Sequence, residues 1–558
     1  MYKKIFSRKI GTNKHLVHLW TDEGYTKTEW TNFAYKECSE GEGEYIGLNG
    51  ESLRKTSKWN SDNTGLHFHD MKNHQKFLIE KYGTSDEPST THKELFFDIE
   101  TEMGDALTPE YIQKAPKKVT SIAWYDKQVD EWGILILDTK NQLEHTKFKN
   151  KEITPCKTEN ELLAKFLEKF REIDPDIIVG YNSDYFDIPY LYYRMCNVLG
   201  EDWAKHLSPI GYVRETPWFK DQFIQIAGVE SLDYIRLHKK FSFRDEPSWK
   251  LDAIGEKYVG INKIEYEGNL DSLFESDINK FIQYNFVDVE ILVELDKKLE
   301  YLALTKNLSH KGKHNYSEVY ANTNTQDGAI SAYLLSQNII PPAKDMNLKA
   351  EKGYAGGYLF CPKAGIYNYM FDEDLTSLYP SIIMSLNIGK ETLKARIIDA
   401  DDRNNRLGLN DLKSKDPNST VIIKNNKGRR AEVTITNLLK FIDSNKFTIS
   451  ANGTMFATNR QSVLSTILAK WFQERVIYKG EMKKAFKAGD KELGTKFHLL
   501  QYTMKILLNS LYGATALPSF RYGNVNLSKA ITLSGQRIIQ ESALIANKKM
   551  NKEIKNVK

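Results

Sequence analysis

The stretch "ELFFDIE", Glu94–Glu100, reads as a β-strand that opens a new region of the chain. Phe96, Phe97 and Ile99 are strand-favouring and apolar. Asp98 and Glu100 lie two residues apart, so on a strand they point to the same face. Two acids on a buried strand cost free energy unless they are paired or bind a metal. On a solvent-facing edge they cost nothing, and this stretch alone leaves both readings open.

Outward from this strand, residues 1 to about 90 read as short strands and turns with many Gly, Asn and Ser. From Glu94 to about residue 300, strands ("KVTSIAWYD", "WGILILD", "PDIIVGYN") mix with helices ("ENELLAKFLEKFREI", "SDINKFIQYNFVDVEILVELDKKLEYLAL"). That mixture predicts an α/β region built on one sheet. The segments around "IIPPAKD" and "KGYAGGYLFCPKAGIY" read as connecting loops with strand edges, and "FDEDLTSLYPSII", residues 371–383, as a further strand. Residues 400–460 are polar and Asn/Lys-rich and read as an irregular insertion. Residues 462–489 and 496–516 predict two long helices joined by a Gly-containing turn, a helical hairpin. The chain closes with a helix and the basic tail "NKKMNKEIKNVK".

A chain of 558 residues is too long for one core, and at least three domains are expected. The net charge is only +4, so a polyanionic partner must bind local basic clefts and not a whole-molecule field. The four cysteines (Cys38, Cys156, Cys196, Cys361) have no paired spacing, which argues against a zinc site or a disulfide framework. No apolar run is long enough to span a membrane, and the N-terminus lacks a signal-peptide stretch, so a cytoplasmic protein is expected.

Two further stretches carry acids. In "GYNSDYFDIPYL", Asp187 stands just before Pro189, where it suits a helix N-cap as well as a site. In "YNFVDVE", Tyr284 and Asp288 are four apart and share a helix face, as a surface pair or as part of a buried site. Together the four acids could hold two divalent cations about 4 Å apart, one lowering the pKa of an attacking water and the other stabilising the leaving oxygen. Tyr284 could orient that water. Hard oxygen ligands favour Mg²⁺ or Mn²⁺ over zinc.

The order of these stretches resembles the three motifs of the 3′–5′ proofreading exonucleases of DNA polymerases. The matching residues are Asp98 and Glu100, then Asn182, Phe186 and Asp187, then Tyr284 and Asp288. The resemblance implies a ribonuclease H-like domain and makes Asp98, Glu100, Asp187 and Asp288 metal ligands. "DLTSLYPSII", Asp374–Ile383, resembles motif A of family B DNA polymerases, and by that resemblance Asp374 is a catalytic metal ligand. Leu378 would cradle the triphosphate, and Tyr379 would lie under the sugar, where a bulky ring can reject a 2′-hydroxyl sterically. Asp372 shares a strand face with Asp374 and reads as a solvated acid.

"KILLNSLYGA", Lys505–Ala514, resembles motif B of the same family. Lys505, Asn509 and Tyr512 fall at i, i+4 and i+7 on one helix face. Lys505 would grip a phosphate, Asn509 and Tyr512 would contact the nascent pair, and Gly513 would allow close template approach. On the preceding helix Arg475, Lys479, Lys483 and Lys487 form a positive stripe, of which Arg475 and Lys479 match the triphosphate-binding pair. "YAGGY", Tyr354–Tyr358, resembles the element implied to contact template strand through Tyr354, Gly356 and Gly357. Details such as "WFQER" and "SANGTMF" point within the family to the T-even bacteriophage type.

The resemblance implies a multidomain α+β and α/β protein with these boundaries: an N-terminal mixed β domain (1–90), the exonuclease domain (91–310), a return to the N-terminal domain (311–345), a first part of the palm with its insertion (346–460), helical-hairpin fingers (461–520), and a palm helix with basic tail (521–558). It implies primer-template DNA and deoxynucleoside triphosphates as substrates, two Mg²⁺ per site with Mn²⁺ possible, and no membrane. No Asp follows Asp490, and the acids beyond motif B are Glu541 and Glu553. The second acidic motif of the polymerase site, motif C, and the thumb are therefore expected from elsewhere. A split polymerase with a second chain, which would also bring a sliding clamp, is favoured over a truncated fragment or a stand-alone exonuclease. A non-catalytic DNA-binding subunit is the remaining alternative.

Overall fold

The computed structural model describes residues 1–59, 63–104, 108–218, 221–242, 245–345, 356–361, 363–368, 370, 374–398 and 407–556. They fall into two compact units. The first holds Met1–Asn32 and Lys72–Ala321, and the second holds Phe33–Met71 and Asn322–Lys558. The segment 1–90 is thus shared between them.

The first unit is built on a seven-stranded mixed sheet. Its order is Thr146–Phe148, Lys151–Cys156, Glu131–Leu137, Val119–Asp126, Glu94–Thr101, Ile177–Gly180, Glu230–Asp233. The strand quoted at the outset is central. It runs antiparallel to Val119–Asp126, with Asp98 opposite Ala123 and Glu100 opposite Ser121, and parallel to Ile177–Gly180. A central strand has both faces covered, which is why it reads as a near-continuous apolar run. Leu95, Phe97 and Ile99 enter a core shared with the helices Glu159–Ile173 and Asp187–Val198. The opposite face packs against the helix Ile278–Leu299. That helix stops at Glu300, whose φ of 55° is left-handed, and a separate helix, Tyr301–Gly312, follows. The single helix expected across these residues is therefore two. The unit also contains a three-stranded antiparallel sheet, Tyr2–Gly11, Lys14–Thr21 and Gly24–Thr31, and a two-stranded one, Val213–Trp218 and Asp221–Ile226.

The second unit contains a five-stranded sheet in which Ile339–Ile340 pairs in parallel with Tyr45–Gly47. It also contains the expected hairpin of long helices, Val463–Lys487 and Lys491–Thr515. Gly489 turns between them at a φ of 80°, and the Asp490 carboxylate caps the second helix by accepting from the Leu493 amide at 3.0 Å. The closing helix runs from Val525 to Asn556, so the basic tail is helical for most of its length.

Two expectations are corrected. Residues 407–456 are not irregular. The strands Leu393–Ile397, Thr420–Asn425, Arg430–Thr434, Thr448–Ile449 and Thr454–Phe456 form one sheet, on which the helix Ile435–Ser444 packs. Ala395, Ile397, Val421 and Met455 of the sheet meet Ile435, Leu438 and Ile442 of the helix in one core, and most of the Asn and Lys residues lie in the turns and on the helices. The strand expected at residues 371–383 is absent from its described part. Asp374–Ser377 forms no strand and Leu378–Leu386 is helical. Among the described residues no other strand pairs with this segment, and a strand without a ladder is not stable.

Candidate functional site

Asp98 and Glu100 lie half-buried near the end of the central strand, on the face that meets the helix Ile278–Leu299. Asp288 rises from that helix and is buried. Carboxylate oxygens of Asp98, Glu100 and Asp288 lie within 4.8 Å of one another. Asp187 is buried beside them and stands outside that trio. Its Oδ1 accepts from the Ile99 amide at 3.3 Å, between the two strand acids. The capping role open to Asp187 is not used. It occupies the first turn of the helix Asp187–Val198, whose cap position is Phe186 without a side-chain hydrogen bond. Asn182 holds a φ of 63°, which turns the chain from strand to helix, and its amide donates to Asp233 at 2.9 Å.

The sequence reading missed two participants. Asn285 donates from Nδ2 to Asp98 Oδ2 at 2.7 Å, and its own carbonyl oxygen accepts from Ser121 Oγ at 2.8 Å. This chain fixes the Asp98 carboxylate. Lys263, from the loop before the helix, forms an ion pair with Asp288 and donates to the Tyr284 hydroxyl at 3.1 Å. Asn285 was adjacent to a motif residue. Lys263 sits in the polar tract "GINKIEYEG", and the only hint was that four converging acids need a counter-charge.

Burial and mutual repulsion raise every carboxyl of the site. Asp98 is pushed well above the carboxylate range by burial and then by Asp187, Asp288 and Glu100. Glu100 is raised to about 8 by burial and then by Asp288. Burial raises Asp187 to about 7 against the opposing Ile99 hydrogen bond. Burial also raises Asp288, outweighing its pairing with Lys263. Asp288 Oδ1 is buried and has no hydrogen-bond partner. An orphaned buried carboxylate oxygen among repelling acids is what a divalent cation relieves, so these residues fit a hard divalent cation.

This arrangement fixes a pH dependence. The raised groups bind protons more tightly folded than unfolded, so their contribution to stability is full below about pH 4 and is lost as pH rises through about 7 to 8. A cation must displace those protons. The melting-temperature gain given by Mg²⁺ over chelator should therefore grow steeply from pH 6 to pH 9. Calorimetry in buffers of different ionisation enthalpy should show proton release on Mg²⁺ addition. A Mg²⁺ gain that does not vary with pH would count against this cluster as the metal site.

The second unit carries the other set of residues. Asp374 is exposed and joins no group of three metal-ligating side chains among the described residues. Ser377, at a φ of 53°, starts the helix Leu378–Leu386, which places Leu378 and Tyr379 in its first turn. The Tyr379 and Tyr512 rings lie 4.4 Å apart between centroids. Lys505 sits over the Tyr502 ring at 5.5 Å, and Asn509 and Gly513 are exposed on the same helix. Arg475 is half-buried, with its Nε lacking a hydrogen-bond partner, while Lys479, Lys483 and Lys487 are exposed. Gly356 and Gly357 are exposed. Asp372 and Tyr354 lie outside the described residues.

The first unit carries a carboxylate cluster on a mixed sheet and the second a hairpin of two long helices. Comparison with known proteins gives the class. Residues 67–254 match the exonuclease domain of DNA polymerase family B, and residues 323–558 match DNA polymerase family B. The DNA-directed DNA polymerase of Escherichia phage RB69 is 32% identical over 69% of this chain and 45% of its own length. That of Enterobacteria phage T4 is 26% identical over 71% of this chain and 46% of its own. A DNA polymerase of Pyrococcus glycovorans is 26% identical over 57% and 40% respectively. The chain belongs to family B of the DNA polymerases. It spans a little under half the length of the phage relatives. No helix among the described residues is long and apolar enough to cross a membrane.

Proposed function

We propose that this chain excises nucleotides from DNA 3′ ends at Asp98, Glu100, Asp187 and Asp288, and that it also contributes the nucleotide-binding half of a polymerase site. The observation that carries the reading is the buried acid cluster with its unpartnered Asp288 oxygen. When bound there, two Mg²⁺ (or Mn²⁺) would supply charge neutralisation and a more acidic attacking water. Asp98 is held in one orientation by Asn285. Tyr284 accepts from Lys263, which leaves its own hydroxyl proton to orient the water. Lys263 neutralises Asp288 and must yield part of that role to the cation.

In the second unit, Asp374 acts as one metal-binding carboxylate of the transfer site, with Leu378 and the Arg475, Lys479 and Lys505 cations on the triphosphate. Tyr379 lies under the sugar, Asn509, Tyr512 and Gly513 meet the nascent pair, and Gly356 and Gly357 touch the template. Nucleotidyl transfer with two metals needs a second carboxylate, and Asp374 joins no group of three metal-ligating side chains among the described residues. A second polypeptide bearing motif C and the thumb, and through it a sliding clamp, would complete the enzyme in the cytoplasm of a phage-infected host.

The test uses purified chain, Mg²⁺ and an end-labelled primer-template. The expected result is stepwise shortening from the 3′ end, with no extension when deoxynucleotides are added. Extension on adding the complementary polypeptide supports the split enzyme. Absence of shortening in any divalent cation would favour a non-catalytic DNA-binding subunit.

A further inference from the structure

The second unit holds an aromatic ring in a tighter seat than the sequence motifs require. Gly535 lies in the interior of the helix Val525–Asn556. Helix interiors disfavour glycine, and helical backbone does not need its freedom, so space must be the reason for it. A Cβ at Gly535 would meet Cε1 of Tyr379 at 2.9 Å, with Tyr379 Cδ1 and Ile382 Cδ1 each at 3.5 Å. Carbon atoms rest about 3.5–4.0 Å apart. The ring therefore lies directly on the helix backbone.

The other sides of the ring are also defined. Tyr512, from the second helix of the hairpin, packs on it at 4.4 Å between centroids with the planes 41° apart. At the hydroxyl end, a Cβ on Gly357 would come within 3.4 Å of the Tyr379 oxygen. The next residue along the closing helix, Gln536, donates to the Gly356 carbonyl at 2.6 Å. Two consecutive residues of one helix thus touch both the Tyr379 ring and the glycine pair at its hydroxyl end.

We propose that Gly535 is a positioning residue for sugar selection: its missing side chain sets how deeply Tyr379 sits, and so how much room is left for the sugar of an incoming nucleotide. This rests on the reading of Tyr379 as the ring beneath the sugar. Gly535→Ala drives the ring off the helix by a few tenths of an ångström or more. Tyr512 and the Gly356–Gly357 backbone limit displacement on two other sides, and on the reading of Tyr379 as the ring beneath the sugar the ring moves toward that sugar. The variant therefore narrows the pocket, whereas Tyr379→Ala widens it.

The test is a double-mutant cycle on the chain itself, read by thermal unfolding. With Tyr379 present, Gly535→Ala should lower the melting temperature. In the Tyr379→Ala background the same change should raise it, by roughly 2 °C, because alanine is the better helix former and the clash is gone. Equal shifts in both backgrounds overturn the contact and the proposal. The second reading is the stabilisation given by millimolar dATP and ATP with Mg²⁺. Wild type should gain more from dATP, Tyr379→Ala should gain equally from both, and Gly535→Ala should lose its gain from dATP. If the cycle shows opposite signs but neither nucleotide stabilises wild type, the nucleotide-pocket reading fails, and the role in sugar selection falls with it although the contact is real.

Discussion

Asp98→Asn protein should excise no label from a 3′ end and yet melt at a higher temperature than wild type in chelator at pH 8. The two effects have one cause. Asp98 sits half-buried among Asp187, Asp288 and Glu100, and its carboxyl is raised by burial first and by those neighbours next. Ionising it in the metal-free fold costs free energy, and asparagine removes that cost. The amide oxygen can still accept from Asn285 Nδ2, which now holds Asp98 Oδ2 at 2.7 Å. What is lost is a negative ligand for the cations. Removing a charge that positions a metal is worth several kcal/mol in the transition state, so excision should fall on the order of 10³-fold or more. Asp187→Ala should behave likewise, and both variants should bind primer-template within about twofold of wild type, since neither acid attracts a polyanion. Excision at the wild-type rate in either variant would remove these residues from the reaction. Destabilisation of Asp98→Asn in chelator at pH 8 would show that the acids do not repel one another as described.

The acids of the first site were legible through the order of three short motifs, which resembles a known family; spacing alone left each of them open. "ELFFDIE" is apolar on both sides of its two acids, and Tyr284 and Asp288 fall at helical spacing in an apolar helix. What the sequence could not show was convergence from loops: Lys263 belongs to an irregular tract, and its partner Asp288 is 25 residues further on. The error over residues 407–456 has a different origin. Strands such as Leu393–Ile397 bury only alternate residues, here Ala395 and Ile397, and the Asn- and Lys-rich turns and helices around them mask that alternation. The segment 371–383 failed in the opposite direction, since its Asp and apolar run satisfy strand patterning while the neighbouring strand that would pair with it is not among the described residues. Gly535 and Arg521 were silent because a missing side chain and a buried charge carry no periodic signal.

Arg521→Met should unfold the second unit more readily than any surface change, by on the order of 3–5 kcal/mol. Arg521 is fully buried. Its Nε donates to Asp327 Oδ1 at 2.8 Å and its Nη2 to Asp327 Oδ2 at 3.3 Å, a bidentate pair. Its Nη1 donates to Asp70 Oδ1 at 2.7 Å and to the Pro342 carbonyl at 2.6 Å. One guanidinium thus ties together the segment Phe33–Met71, the helix Asn322–Ser336, the loop beyond it and the turn after the helical hairpin. Burial alone would raise the Asp70 carboxyl, and the Arg521 charge overcomes it and holds it below the usual range. Methionine matches the volume but leaves Asp327 and Asp70 without that charge, and Lys344, at 3.3 Å from Asp327, supplies only part of it. Denaturant unfolding should show the loss as an earlier transition in the fluorescence change contributed by Trp471, which is buried in the second unit, identified by difference from a Trp471→Phe control. The triple variant Arg521→Met, Asp327→Leu, Asp70→Leu should recover much of the stability, because replacing all partners removes the uncompensated charges that make the single change costly. A single variant as stable as wild type would mean that water or Lys344 already satisfies both acids. A triple variant no better than the single would mean that the network acts through its geometry and not through its charges.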